Sequence, residues 1–256
     1  MAQVTAHTKK YWQYEYDVAM RYMVPLLERW GVRMQDSLII DVGCGEGGGL
    51  CAMYDNGARS FGFDIDQLRV EAAEWLKEER DIRFATGNLY EESLPFADTQ
   101  YDLVVLHDVF EHLEQKEKMM ARLKGFVKPT GRLLITFPPY FSAFGAHQQH
   151  LSAPFARLPF FHLIPFTLTW LLPRMTGEDS SVVQEVRKLG RFRMGMRAFE
   201  GIARSSGLKV VQKQAYLISP NHIRFGLRPV PAGPICGIPF LGELLCTGVV
   251  YLLSPR

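Results

Sequence analysis

The sequence predicts an α/β fold with a doubly wound, mostly parallel sheet, and three observations carry that prediction. An apolar run ends in a crowd of glycines, a carboxylate closes the next apolar run, and strand and helix patterns then alternate regularly. The first of these is Leu38-Ile39-Ile40-Asp41-Val42-Gly43-Cys44-Gly45-Glu46-Gly47-Gly48-Gly49. Glycines reach positive φ and let a ligand lie against the backbone, while the N–H groups that open the next helix suit a polar ligand. The second is Asp64, which closes Ser60-Phe61-Gly62-Phe63 and follows Gly43 at 64 − 43 = 21 residues. A carboxylate there accepts the hydroxyls of a ribose. In such a sheet, ligands sit beyond the carboxyl ends of the strands where strand order reverses.

Each element follows from its pattern. Aromatic and apolar residues from Tyr11 to Trp30, stopped by Gly31, give one or two helices with Pro25 at a break or a first turn. They pack beside the sheet or close over its ligand. After the glycine run come a strand near 60–64 and a helix over 67–80, capped by Asp66, with Leu68, Ala72, Trp75 and Leu76 on one face. Strands at 82–86 and 102–107, a helix over 112–127 and a strand over 131–137 follow. Residues 138 to about 195 fit no element of this alternation, and so long a stretch reads as a lid insertion after the fifth strand. A helix over 196–206 and a strand over 208–217 resume the sheet. A second irregular stretch, 219–243, carries Pro220, Pro229, Pro231, Pro234 and Pro239, and the last strand is Cys246 to Leu253. The expected organisation is one domain over 1–256: helices in 1–36, a ligand-binding core in 37–137, the lid in 138–195 and the end of the sheet in 196–256.

Composition bounds the function. With 256 residues and 47% hydrophobic content the chain can bury one full core. A net charge of +2 creates no global field for nucleic acid, although Arg187, Lys188, Arg191, Arg193 and Arg197 fall within eleven residues. The four cysteines, Cys44, Cys51, Cys236 and Cys246, form no C-x-x-C pair and read as reduced cytosolic thiols. The first ten residues lack the apolar core of a signal peptide. Leu158 to Pro173 and Gly233 to Ser254 are apolar but are broken by prolines, so neither reads as a transmembrane segment, although either could lie on a bilayer surface or hold a greasy substrate. A cytoplasmic protein is the expectation, with peripheral membrane contact left open.

Two cofactor classes compete for the glycine run. Gly43, Gly45 and Gly48 satisfy G-x-G-x-x-G, the pattern of nicotinamide-dependent oxidoreductases. Asp41 opposes that reading, because its charge would face a pyrophosphate, whereas it attracts an ammonium group. An amino-acid-bearing cofactor therefore fits better. Both classes contain ribose, so Asp64 does not separate them.

With these residues in place, Asp41-Val42-Gly43-Cys44-Gly45 and Gly62-Phe63-Asp64 resemble the first two motifs of class I S-adenosylmethionine-dependent methyltransferases. Phe84-Ala85-Thr86-Gly87-Asn88-Leu89 is similar to the segment that contacts adenine, with Asn88 where the family often has Asp. Tyr101-Asp102-Leu103-Val104-Val105-Leu106 resembles the fourth strand, and Lys128-Pro129-Thr130-Gly131-Arg132-Leu133-Leu134-Ile135-Thr136 the turn and fifth strand. Between them, His107-Asp108-Val109-Phe110-Glu111-His112-Leu113 resembles the strand-to-helix corner of ubiquinone- and menaquinone-type small-molecule methyltransferases. The resemblance covers residues 37 to 137. It implies a Rossmann-like, seven-stranded sheet with an antiparallel last strand, and S-adenosylmethionine as methyl donor. It implies a cofactor site of Asp41, Gly43, Cys44, Gly45, Asp64, Ile65, Gly87, Asn88, Leu89, His107 and Asp108. Pro138-Pro139-Tyr140 is similar to an element of amino-group methyltransferases, but it follows the fifth strand rather than the fourth, with Phe137 in place of Asn or Asp. The amino-methylating role is therefore not carried over.

Methyl transfer from a sulfonium depends on alignment of acceptor, methyl and sulfur, and a hydroxyl acceptor must also lose a proton. His147 and His150 lie just after the fifth strand, on the acceptor's side, and either suits the base. A histidine bonded to lid backbone is the alternative. Asp108, Glu111 and His112 resemble a metal-binding corner of some quinone and RNA-end methyltransferases, which His147 or His150 would complete with Mg²⁺, Mn²⁺ or Zn²⁺. The competing reading, which we favour, makes them an ordinary helix start with acids complementing the dipole. The basic cluster suits a phosphate on the acceptor or an anionic membrane, or is simply a solvated face. The expected activity is methylation of a small-molecule acceptor at oxygen, with sugar, isoprenoid-linked or polyketide-like compounds open. N- or C-methylation, RNA methylation, nicotinamide-dependent oxidoreduction and a non-catalytic cofactor-binding regulator are the alternatives.

Overall fold

The computed structural model describes residues 4–148, 157–163, 184, 188–238 and 240–256. Helix α1 (Ala6–Val18) is capped by Thr5, whose hydroxyl accepts the Thr8 N–H at 3.1 Å. It runs through a π-helical turn (Ala19–Met23) into α2 (Val24–Arg29). Pro25 has no N–H to give the preceding turn, and the wider turn absorbs that loss, so the chain bulges where the sequence suggested a break. Gly31, at φ +79°, ends the run.

Strands β1 (Leu38–Val42), β2 (Arg59–Asp64), β3 (Arg83–Thr86), β4 (Tyr101–His107) and β5 (Val127–Phe137) alternate with α3 (Gly48–Asp55), α4 (Gln67–Leu76) and α5 (Lys116–Phe126). Then follow α6 (Met196–Ser205), β6 (Leu208–Ile218), β7 (Val230–Pro231), α7 (Leu241–Leu245) and β8 (Gly248–Pro255). The order across the sheet is β3-β2-β1-β4-β5-β8-β6-β7. β1 pairs in parallel with β2 and β4, and β8 pairs antiparallel with both β5 and β6. The parallel sheet with an antiparallel last strand is as expected, but it has eight strands rather than seven. The additional strand, β7, is a two-residue edge within the irregular 219–243 stretch, where Pro231 needs no N–H on its outer side.

Successive residues of each central strand face opposite sides. Ile40, Val104, Leu106, Leu133 and Ile135 pack with Met119, Leu123 and Phe199 of α5 and α6. Ile39, Leu103, Val105 and Leu134 pack with Leu27, Leu50, Met53 and Ala73 of α2 to α4. Both faces are thus buried, which explains the uninterrupted apolar runs.

Two helix expectations are corrected. The buried face of α4 is Val70, Ala72, Ala73 and Leu76, whereas Leu68 and Trp75, one stripe around the helix, are exposed, with Lys9 Nζ 4.7 Å over the Trp75 ring. The helix expected from residue 112 begins at Lys116. A 3-10 turn (Phe110–His112) precedes it, and Lys116 Nζ donates to the carbonyls of Phe110 at 2.7 Å, Glu111 at 3.0 Å and Leu113 at 2.7 Å. A buried ammonium thus holds the turn's exposed carbonyl end in place of continued helix. In the insertion after β5, Tyr140 N–H donates to Met194 O at 2.8 Å, so the two ends of the insertion are joined. Among the described residues, no helix is long and apolar enough to cross a membrane.

Candidate functional site

A cavity of 690 Å³ opens at the carboxyl ends of β1, β2, β4 and β5, the place the strand alternation assigns to a ligand. Of the expected cofactor residues, Asp41, Gly43, Cys44, Asp64, Ile65, Gly87, Asn88, Leu89, His107 and Asp108 line it. Gly45 stands behind them, donating its N–H to Asp64 Oδ2 at 2.9 Å.

The glycine run differs in detail from a loop that offers its amides outward. Gly43 and Cys44 both donate to Phe63 O, at 2.8 and 3.2 Å, and Gly47 donates to Cys44 O at 2.9 Å. The amides of Gly43, Cys44, Gly45 and Gly47 hold the turn's shape, and Gly43, Cys44 and Gly49 line the cavity. Gly43, at φ +83°, is required twice, because a Cβ there would also meet Val109 Cγ2 at 2.5 Å. Gly48 serves packing instead: a side chain would strike Trp12 O, so its absence lets α1 lie directly on α3. Cys44 is a buried neutral thiol, its pKa pushed well up by burial.

Two carboxylates define the polar part of the cradle. Asp64 is held from both sides, Oδ2 by Gly45 and Oδ1 by the Asp66 N–H at 2.9 Å. Asp41 is 6% exposed and its Oδ1 has no hydrogen-bond partner. Burial, then the neighbouring Asp64, pushes its pKa up to about 7, with Arg69 pulling the other way. A buried, unpartnered carboxylate oxygen in a cavity is a place for a cation, and the ammonium of an amino-acid-bearing cofactor supplies one. Asn88 is tied to its own loop. Its Oδ1 accepts the Tyr90 N–H at 3.1 Å, which turns the amide oxygen back towards its own loop. Ile65, 67% exposed, stands at the rim.

Several lining residues were not anticipated individually. Tyr11, Glu15, Val18 and Tyr22 of the N-terminal helices all line the cavity. Their i, i+4, i+7, i+11 spacing is the signal that one face of that helix was committed. Arg69 lies across the glycine turn, its guanidinium bonded to Glu46 and 3.7 Å from Glu15 Oε1. Burial raises Glu15 well above the ordinary carboxyl range, and Arg69 only partly offsets this. Thr136 and Asn221 fix Asp108: Thr136 Oγ1 donates to Asp108 Oδ1 at 2.8 Å, and Asn221 Nδ2 donates to Oδ2.

That fixation removes Asp108 from the metal-binding corner suggested by the sequence. The structure instead brings together Glu111, His112 and His147, whose ligand atoms lie within 4.8 Å of one another. Glu111 Oε1 is 3.6 Å from Nε2 of each histidine, and the two rings are 5.3 Å apart. Glu111 is 1% exposed with neither oxygen hydrogen-bonded, and burial pushes its pKa up to about 8. His112 and His147 line the cavity together with Pro138, Ser142 and Phe144. His150 lies outside the described residues.

The basic cluster does not converge on one point. Lys188 lines the cavity, Arg193 Nε donates to Gly190 O at 3.2 Å, and Arg197 sits over the Phe240 ring. Arg187 lies outside the described residues. The chain passes from a helical turn into α6 across these positions, which sends neighbouring side chains in different directions.

Comparison with known proteins agrees with this geometry. Residues 40–135 match the family model described as a methyltransferase domain. Phosphoethanolamine N-methyltransferase 2 of Caenorhabditis elegans is 28% identical over 138 residues, which are 53% of this chain and 31% of that protein. The Plasmodium falciparum phosphoethanolamine N-methyltransferase is 34% identical over 108 residues, 40% of this chain and 39% of its own length. The chain thus spans well under half the length of these relatives. Magnesium protoporphyrin IX methyltransferase from Synechocystis, solved with bound S-adenosylhomocysteine, superposes with a TM-score of 0.55 at 15% identity, over 100% of this chain and 90% of that one. That likeness bears on the fold. A methyltransferase-domain match over residues 40–135, its relatives and an orphaned carboxylate at the strand ends all point away from a dinucleotide, and that part of the chain is a methyltransferase domain of the class I S-adenosylmethionine-dependent kind.

Proposed function

We propose that the chain methylates a small-molecule acceptor at a hydroxyl, with His147 as the base that removes the acceptor's proton. The supporting observation is the juxtaposition of His112 and His147, on the wall of the cavity that Asp41 and Asp64 also line, with the buried Glu111. S-adenosylmethionine, when bound, supplies an electrophilic methyl group on a positively charged sulfur. Asp64 holds ribose hydroxyls, and Asp41 the ammonium. His147 takes the hydroxyl proton onto its imidazole as the acceptor oxygen becomes nucleophilic, and Glu111 beside Nε2 supports the resulting imidazolium. Lys188 and Arg224 at the cavity wall suit an acidic group on the acceptor, and Phe144 and Leu26 an apolar one. Phosphate-bearing and hydrophobic acceptors are both in keeping with the relatives, which include a probable tocopherol O-methyltransferase from rice, 29% identical over 102 residues.

A second reading rests on the two oxygens of Glu111, neither of which is hydrogen-bonded although Oε1 lies between the two histidines. One carboxylate and two imidazoles form a donor set that suits Zn²⁺ or Mn²⁺, and such a cation would lower the acceptor hydroxyl's pKa in place of a base.

Transfer of labelled methyl to a panel of hydroxylated and amino compounds tests both readings. With an O-acceptor found, His147→Ala is expected to lower kcat by about 10²–10⁴-fold while S-adenosylhomocysteine affinity stays unchanged. Near-normal turnover would end the base assignment. Loss of turnover on chelation, restored by Zn²⁺ or Mn²⁺, would select the cation.

A further inference from the structure

We propose that the face formed by Ile238, Phe240, Leu241, Leu244 and Leu245 docks the protein on an anionic lipid bilayer, with Arg197 as the cation at its edge. Phe240 is 76% exposed and the other four are 38–49% exposed, so five of eight consecutive positions present large apolar side chains to solvent. Monomeric proteins seldom leave such a patch uncovered without a use for it. The backbone contributes as well: Phe240 sits at φ +64°, an unfavourable conformation for a residue with a Cβ.

Charge selects the occupant. Across 219–247 the sole acid is Glu243, and it is turned inward: Oε2 accepts the Met196 N–H at 3.0 Å and Oε1 the Arg197 N–H at 3.1 Å. The guanidinium of Arg197 lies over the Phe240 ring at 5.8 Å. The same segment carries Arg224 and Arg228 beside exposed Phe225 and Leu227. Exposed apolar side chains with Arg197 at their edge, and with the segment's carboxylate withdrawn, match the acyl and phosphate layers of an anionic interface. A two-fold pairing of this face with a second copy would instead set arginines against their own kind. Arg224 also lines the cavity, so part of this segment borders the site directly. The inference stands independently of the acceptor's identity.

Sedimentation with sucrose-loaded phosphatidylcholine vesicles, with and without phosphatidylglycerol, tests it. The wild-type protein is expected to pellet with the mixed vesicles and to release as salt is raised. Phe240→Glu/Leu244→Glu is expected to lower partitioning by about tenfold or more, and Arg197→Gln by about threefold to fivefold. An S-adenosylhomocysteine thermal shift equal to wild type certifies that the variants are folded. Should the double Glu variant fail to fold, Phe240→Ser/Leu244→Ser is read in the same assay. Absence of wild-type binding to the anionic vesicles overturns the proposal, as does undiminished binding by the folded variants. A dimer dissolved by the same substitutions, with no vesicle binding, also overturns it and assigns the face to a second copy.

Discussion

Asp64→Ala is expected to raise the dissociation constant for S-adenosylhomocysteine by roughly 30- to 1,000-fold, a loss of about 2–4 kcal/mol. The size follows from the carboxylate's double duty. It lines the cavity, where the proposed role is to accept ribose hydroxyls, and it also ties the Gly45 and Asp66 amides at 2.9 Å each, joining the glycine turn to the start of α4. Alanine removes the ligand's partner and leaves two inward-facing amides to find others. Asp64→Asn keeps one acceptor oxygen and should fall between the two. Isothermal titration with S-adenosylhomocysteine reads all three proteins, with circular dichroism as the check on folding. An alanine variant within about threefold of wild type would mean that Asp64 is a turn residue only.

Glu111→Gln is expected to stabilise the metal-free protein, increasingly so as pH rises. The folded carboxyl has its pKa pushed up to about 8 by burial, with Asp108 adding to this and His112 and Lys116 opposing it, against 4.5 ordinarily. Between these values the folded state holds a proton that the unfolded chain releases. Stability therefore falls as pH rises from about 4.5 to 8 and levels off above. Glutamine removes that loss. The gain should be near zero at pH 4.5 and reach on the order of 4 kcal/mol above pH 8, or about 10 °C in Tm. Thermal melts of both proteins at pH 5 and pH 9 measure it. A cation on Glu111, His112 and His147 reverses the sign, because the ion binds the ionised carboxylate and the glutamine variant forfeits it. A variant less stable than wild type at pH 9, with the difference removed by chelation, would identify the metal-loaded form.

The two residues differ in how visible they were before folding. Asp64 ends a strand at a fixed distance from the glycine run, and both constraints are local. Glu111 belongs to an acidic-x-x-acidic-His spacing, but the structure groups it with His112 and His147 and not with Asp108. Thr136, 28 residues on, and Asn221, 113 residues on, claim Asp108, while Glu111 is buried beside His112 and His147. Lys116 was invisible for a related reason. Lysines near a helix start are ordinarily solvated, and only the closed packing around Phe110 and Phe192 makes this one a buried clamp on the turn bearing Glu111. On α4, Leu68 and Trp75 satisfied a helical period but belonged to the exposed stripe, because periodicity fixes the spacing of faces and not which face meets the sheet.

By itself, the sequence determined the strand and helix alternation, the cofactor class and most of the residues that line the cavity at the strand ends. Those properties reside in short runs whose backbone demands are local: φ beyond the reach of side-chain-bearing residues at Gly43, a carboxylate at the end of β2, apolar strands buried on both faces. Tertiary structure alone decided which titratable groups meet. It placed α1 over the cradle through the missing side chain of Gly48, withdrew Asp108 into a hydrogen-bonded pair, and set Glu111 between two histidines. Burial and distance govern a carboxylate's charge and partners, and both are properties of the packed chain rather than of any segment of it.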